Sequence, residues 1–276
     1  MRIGIRGNGV TRDMVSMGNV WDRTVDVLRG RSSILASIAG VGILLPSVLR
    51  DVIGLAAPTS SGLYALIGLL ALVATVWAQL AMLAVATDPA TDRAEASRLA
   101  LSRLGVALGV VVLLGLAFTL LFIPAVVALA QSGVDYSTGT IDPTTIPAGL
   151  RSFLTIYFLL FFAAAFWLGA RLLLLNAVIL RERLGLGAIM RSVRLTQGAT
   201  WRIIGVMLLF VILLLVCAGA VQVVVGLVLR LLLGAGSLPT ITFVASLIAS
   251  IVTTAFSVVA AAFTAQLYVA ARDSRN

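Results

Sequence analysis

Three arginines in the segment IMRSVRLTQGATWRIIG, residues 189–205, are the side chains with the clearest capacity for binding chemistry. Arg191, Arg194 and Arg202 share this segment with no acidic residue, and Trp201 directly precedes the last of them. The guanidinium group is planar, permanently charged and suited to phosphate, while tryptophan favours the headgroup level of a bilayer. The segment therefore predicts a site for anionic lipid headgroups, beside the alternative that its arginines only anchor the chain at a membrane surface.

A further arginine lies inside an apolar run. Arg171 is the one charged residue between positions 152 and 180, and ionisable groups inside a membrane are costly and commonly functional. A span of about 20 residues beginning near Ser152 ends beside it, which predicts a place at the inner interface next to Trp167. The alternative places Arg171 inside the bundle, paired with Asn176, Gln79 or a lipid phosphate. Arg171 is therefore a candidate lipid-headgroup residue as well.

Small and hydroxyl-bearing residues recur every three or four positions along the last apolar run. They are Ser246, Ser250, Thr253 or Thr254, Ser257 and Thr264. Such a stripe shares one helix face, and close helix packing in lipid selects residues of this kind. The competing interpretation is a polar groove lined by Ser250, Thr254, Ser257 and Gln266.

Few residues of this chain could act as catalytic groups. The chain has no histidine and one cysteine, Cys217, so a zinc site of the usual kind and a nucleophile paired with histidine are both absent. No acidic residue lies within an apolar run, and no glycine-rich phosphate fingerprint is present. The sequence predicts a protein that is not an enzyme, with no catalytic residue, no cofactor and no metal.

The elements that position these residues follow from composition. Of 276 residues, 61% are apolar and 11% are charged, with a mean hydropathy of +1.12. Soluble domains are about 45–50% apolar and about 25% charged, so lipid is the solvent for most of this chain. We expect an all-α polytopic membrane protein with six transmembrane helices. The predicted spans are residues 33–49, 62–86, 104–130, 152–180, 203–229 and 241–271.

The arginines predict the orientation. The chain has 20 arginines and no lysine, and with the N-terminus inside, sixteen arginines fall in cytoplasmic segments against three outside. The positive-inside rule then places both termini in the cytoplasm. Residues 1–31 form a cytoplasmic N-terminal segment, 32–271 the transmembrane domain and 272–276 a tail. Because the net charge of +9 follows the topology, nucleic acid is not an expected partner.

Short amphipathic stretches precede the first, third and fifth spans and are predicted as interfacial helices on the cytoplasmic side. Glycine commonly stops a helix by adopting the left-handed conformation, and Gly30, Gly105 and Gly198 follow the three stretches. Thr91 and Thr200 are the predicted N-caps before the third and fifth spans. The recurring order of basic helix, glycine and hairpin predicts a unit repeated three times.

The segment GLGAIMRSVRLTQGATWRIIGVMLLF, residues 185–210, resembles a pattern in a bacterial family of six-span proteins. That family is named for the membrane domain of glycerophosphoryl diester phosphodiesterases. The matching positions are Arg191, Ser192, Arg194, Leu195, Thr196, Gly198, Trp201, Arg202 and Gly205. The resemblance implies a protein of the bacterial inner membrane. It does not imply the phosphodiesterase reaction, because that catalytic domain requires histidines that this chain lacks.

The sequence thus predicts a non-catalytic inner-membrane protein whose basic cytoplasmic face engages anionic lipid or a protein partner, with homo-oligomerisation also possible. Membrane organisation or lipid homeostasis would be its role. The alternative is a transporter or permease for a small or lipidic substrate that uses the polar stripe of the sixth span.

Overall fold

A computed structural model describes residues 17–56, 61–132, 147–182, 184–234 and 237–274. Residues 1–16, 57–60, 133–146, 183, 235–236 and 275–276 lie outside the described residues. The described parts consist of helices and turns, with no strand among them. The helices are α1 (Met17–Ala39), a π-helical turn (Gly40–Leu44), α2 (Leu45–Ala56), α3 (Gly62–Thr87), α4 (Arg93–Ala130), α5 (Ala148–Leu172), α6 (Leu175–Arg181), α7 (Gly187–Leu195), α8 (Thr200–Leu233) and α9 (Leu238–Asp273).

The described residues contain six helical stretches that are long and apolar enough to cross a membrane. The first combines α1, the π-helical turn and α2, and the fourth runs from α5 into α6 across a turn at Leu173–Leu174. The other four are α3, α4, α8 and α9. The all-α, multi-pass membrane fold is therefore confirmed, with each predicted span inside one of these stretches.

One of the three predicted short helices is not a separate element, because α4 runs through Gly105 without a break for 38 residues in all. A helix entering lipid gains by continuing, because its backbone groups find no water with which to replace their internal hydrogen bonds. The threefold repeat of helix, glycine stop and hairpin is therefore wrong. The helix predicted before the first span is present: Arg31, with φ of −135° and ψ of 16°, breaks α1 directly after Gly30 and separates two helical parts. The third predicted short helix, α7, is separate from the span that follows it, and Gly198 follows α7 with φ of 90°.

The predicted caps also differ from those observed. Asp92, rather than Thr91, caps α4 by accepting a hydrogen bond from the backbone N–H of Glu95 at 2.7 Å. Thr200 does not cap α8, because its hydroxyl donates back to the carbonyl of Thr196 at 3.0 Å. The cap of α4 therefore lies one residue later than predicted, and α8 begins after Ala199 without a side-chain cap.

Buried side chains gather at one end of the bundle. They occupy the first half of the α1 span, the last half of α3, the start of α4, most of α6, one face of α7 and the last third of α9. Among the largest fully buried side chains are Leu35, Met82, Ile179, Ile203 and Tyr268. We call this end, which also carries Arg31, Arg98, Arg181, Arg194 and Arg272, the basic end.

The opposite half of the bundle is open. Leu120, Leu159, Leu215 and Leu231 are all more than half exposed, and these residues lie on α4, α5 and α8. Aromatic contacts such as that between Phe122 and Phe161, with ring centroids 4.7 Å apart, join α4 to α5 there. Because lipid tails solvate apolar side chains as well as a protein core does, this half gains little from close packing.

The π-helical turn brings the first span close to α3. Proline lacks an N–H and its ring crowds the carbonyl four residues earlier, which here is Gly42, and the wider turn precedes Pro46. A Cβ added at Gly42 would overlap the Cβ of Ala78 and come within 3.1 Å of the Trp77 ring. Position 42 therefore requires glycine, because there is no room for a Cβ between the first span and α3.

We expect Gly42→Ala to destabilise the bundle, because the added methyl group forces α3 away from the first span. Overpacking of this kind costs about 1–3 kcal/mol, which corresponds to a fall of several degrees in Tm. Thermal unfolding of the purified protein in detergent, followed by tryptophan fluorescence, measures the change.

Gly40→Ala is the matched control for this substitution. Gly40 lies in the same π-helical turn, and a Cβ added there meets nothing within 4 Å. Equal melting temperatures for the two variants would show that Gly42 is not a packing contact.

Candidate functional site

The chemistry at the basic end begins with the carbonyl groups that terminate α3. The last four carbonyls of any helix lack an intrahelical N–H partner, and at this end they lie among buried side chains. Gln266 of α9 donates to the carbonyl of Ala86 at 2.7 Å, and Arg181 of α6 donates to that of Ala84 at 3.1 Å. Side chains from two other helices thus satisfy the end of α3.

Arg31 closes the turn that follows α3. Its Nη1 donates to the carbonyl of Thr91 at 2.9 Å, with longer contacts of 3.4 Å to the carbonyls of Val85 and Asp88. Arg181 contributes a second guanidinium, whose Nε donates to the Thr87 hydroxyl at 2.9 Å. Two positive charges therefore lie at the negative end of the α3 dipole, where cations are favoured.

Glu182 forms a second layer of the network. Its carboxylate accepts a hydrogen bond from Arg191 Nε at 2.8 Å and one from the Tyr268 hydroxyl at 3.3 Å. Arg181 also pairs with Asp88 at 3.8 Å. Glu182 and Asp88 thus bind arginines of the same chain, and α6, α7 and α9 are joined through the Glu182 carboxylate.

The short helix α7 is held against the end of α5. Ser192 donates to the carbonyl of Arg171 at 2.8 Å, and Thr196 reaches the same carbonyl at 3.4 Å. Ala188 and Leu195 are buried on the same side of α7. This docking fixes which face of α7 points away from the bundle.

The candidate lipid-headgroup residues of α7 and α8 differ in whether a protein group already binds them. Arg191 is engaged by Glu182. Arg194 and Arg202 are exposed, and neither makes a hydrogen bond or an ion pair with any residue that the structure describes. Trp201 is 80% exposed and lies beside Arg202 at the start of α8.

Arg171 stacks on an aromatic ring. Its guanidinium carbon lies 4.8 Å from the centroid of the Trp167 ring, the neighbour expected from the sequence. Its Nε is buried and has no hydrogen-bond partner among the described residues. Asn176 and Gln79, the alternative partners, instead bond to each other at 3.3 Å.

Among the cavities that the described residues form, none brings the predicted polar-groove residues together. Thr254 donates to the carbonyl of Ser250 at 2.7 Å, and Ser257 donates to that of Thr253 at 2.9 Å, so their hydroxyl hydrogens serve their own helix. Gln266 is buried in the α3 network. Of the four groove candidates, only Ser257 lines a cavity described below, and Ser250 is half-buried.

Sequence reasoning missed the roles of Arg31, Arg181, Glu182 and Tyr268. The two arginines were counted only toward topology. One signal was available, since Glu182 is the sole acid among the five arginines of residues 181–202. An isolated acid in such a segment indicates an internal ion pair.

Comparison of the chain with family models, with curated proteins and with solved structures finds no match, so the family resemblance stays a prediction.

We expect Arg181→Gln to lower the stability of the bundle, since it leaves the Ala84 carbonyl and Asp88 without their partner. Hydrogen bonds to charged groups contribute about 1.5–3 kcal/mol each in net terms, which is several degrees in Tm. Arg98→Gln removes an exposed arginine of the same end and should leave Tm within about a degree. Equal thermal unfolding of the two variants in detergent would contradict the network.

Proposed function

We propose that this chain is a non-catalytic integral protein of the bacterial inner membrane whose basic end faces the cytoplasm and binds anionic lipid. The observation that carries the proposal is the free face of α7 and the start of α8. Arg194 and Arg202 lie there without a protein partner among the described residues, although the nearby Arg191 is neutralised by Glu182. An unneutralised pair of guanidinium groups at a membrane surface favours phosphate, with about 1 kcal/mol from each arginine.

The same face also carries exposed apolar side chains. Leu186 is 67% exposed, Met190 is 61% exposed and Trp201 is 80% exposed. Positions 186, 190 and 194 follow one another at helical spacing, so the first two apolar residues share a face with Arg194. Because α7 is docked through its other face, these side chains are free to enter the headgroup layer, as in an interfacial helix.

The arrangement at Arg171 supports the same conclusion. Stacking on Trp167 holds the guanidinium near the end of α5, beside the turn into α6. Arginine and tryptophan together at a helix end are typical of the membrane interface. A role in membrane organisation or lipid homeostasis fits a protein that binds lipid in this way.

Two alternatives have less support. A protein partner with an acidic surface could meet the same arginines, yet the exposed leucine, methionine and tryptophan suit lipid better. A transporter that uses the sixth-span stripe needs those hydroxyls in one groove, and most of them bond to their own helix.

We expect Arg194→Gln/Arg202→Gln to reduce the amount of phosphatidylglycerol or cardiolipin that copurifies with the protein, because two phosphate-binding groups are lost. Native mass spectrometry of the full chain released from detergent counts the bound lipids. Two lost contacts of about 1 kcal/mol each correspond to roughly a 30-fold weaker affinity. The melting temperature should stay unchanged, since neither side chain contacts the bundle through a hydrogen bond.

Arg93→Gln/Arg98→Gln is the matched control, because it removes two exposed arginines from another part of the basic end. A specific site predicts that the control keeps its lipid. If both double variants lose lipid equally, the basic end attracts anionic lipid only through its total charge. If neither loses lipid, the proposal fails.

A further inference from the structure

A polar cavity lies between α3, α6 and α9, on the membrane side of the network at the basic end. Its volume is about 200 Å³, and its polar lining residues are Gln79, Asn176, Ser257 and Thr264. Gln79 lies eight residues before the end of α3, which is about 12 Å along the helix axis. Polar groups at such a depth are costly in lipid unless they find hydrogen-bond partners.

Part of the hydrogen-bonding capacity of this cavity is unused. Asn176 donates to Gln79 at 3.3 Å, and either orientation of the two amides leaves further donors and an acceptor free. The Thr264 hydroxyl makes no hydrogen bond with any described residue, whereas Thr253, Thr254 and Ser257 each donate to their own helix. The free groups therefore include both donors and acceptors, and they line one space.

An apolar cavity adjoins the polar one. It has a volume of about 170 Å³ and lies between α8, α9 and Trp21 of α1, with Met207, Phe210 and Phe263 in its lining. Leu173, Ala260 and Thr264 line both cavities. The two spaces therefore lie on either side of these three side chains, of which Ala260 is the smallest. A cavity of about 150 Å³ holds a molecule the size of benzene, so this one accommodates a short segment of an acyl chain.

The lining residues of both cavities are uncharged. A phosphate or carboxylate in this space would therefore lose its hydration without gaining an opposite charge, which is strongly unfavourable. An uncharged head with hydroxyl groups instead offers both donors and acceptors to the amides and to Thr264. The ligand chemistry that matches is a neutral amphiphile with a hydroxylated head and an acyl chain.

We propose that the paired cavities bind a neutral glyceride, with its free hydroxyl groups at Gln79, Asn176 and Thr264 and its acyl chain beside Phe210 and Phe263. Part of the chain occupies the apolar cavity, and the remainder extends into the bilayer through the open half of the bundle. This site differs from the anionic-lipid surface at Arg194 and Arg202 and does not depend on it.

The test uses two probes with the same acyl chain. Monooleoylglycerol carries a diol head, and methyl oleate has a similar ester but no hydroxyl group. Titration of the full-length protein in detergent with each probe, followed by native mass spectrometry, gives the relative affinities. We expect monooleoylglycerol to bind at least tenfold more tightly, because two hydroxyl groups form hydrogen bonds that methyl oleate cannot form. Equal affinity for the two probes would overturn the proposal.

Variants distinguish this site from general partitioning into detergent. Thr264→Val is nearly isosteric and removes a hydroxyl with no partner in the described bundle, so it should weaken monooleoylglycerol binding about fivefold without lowering Tm. Thr253→Val is the matched control, since that hydroxyl is exposed on the same helix and lines neither cavity. Ala260→Leu enlarges a side chain that lines both cavities and should abolish binding of the probe. Wild-type affinity in both Thr264→Val and Ala260→Leu would show that the cavities do not hold the glyceride.

Discussion

The bundle depends on how the carbonyl groups at the end of α3 are satisfied. A helix that ends among buried side chains cannot leave these acceptors to water, and each unsatisfied one would cost about 1–3 kcal/mol. Gln266 and Arg181 supply donors from α9 and α6, and Arg31 of the first span adds a longer contact to the Val85 carbonyl. The helices that carry these residues are thereby fixed around α3. The place of α7 follows from the same arrangement, because Glu182, the residue after Arg181, also binds Arg191 of α7.

The contrast between the two ends of the bundle has a simple physical origin. The longest helices, α4, α8 and α9, have 34 to 38 residues and so reach about 50–57 Å, well beyond a hydrocarbon layer of about 30 Å. Their surplus length must meet headgroups and water, where burying apolar side chains is favourable. The packed core lies at the basic end, and the opposite half, with α8 largely unburied, leaves its apolar surface to lipid.

The sequence predicted the parts of this structure that depend on local composition. Hydropathy located all six spans, and Gly198 was correctly placed after α7, where its positive φ requires glycine. The failures concern contacts distant in sequence. Nothing local to Arg31 indicates that it binds the carbonyl of Thr91, 60 residues later, and Gln266 meets Ala86 across 180 residues. Gly105 does not end a helix as predicted, because a helix in lipid keeps its internal hydrogen bonds where no water can replace them, whereas the predicted break after Gly30 is present at Arg31.

The exclusive use of arginine among the basic residues determines how the charges of this protein respond to pH and to salt. The guanidinium keeps its charge throughout physiological pH, and the chain has neither lysine nor histidine, the residue that most often changes charge near neutrality. Mild acidification therefore leaves the positive charges of the basic end unchanged. Ionic strength does weaken the interactions of these charges, and it affects exposed arginines more than buried ones. Salt screens the exposed Arg194 and Arg202 far more than Arg181, which is mostly buried between α3 and α6. The attraction of Arg194 and Arg202 for anions thus weakens as the salt concentration rises, while the bonds of Arg181 within the bundle change little.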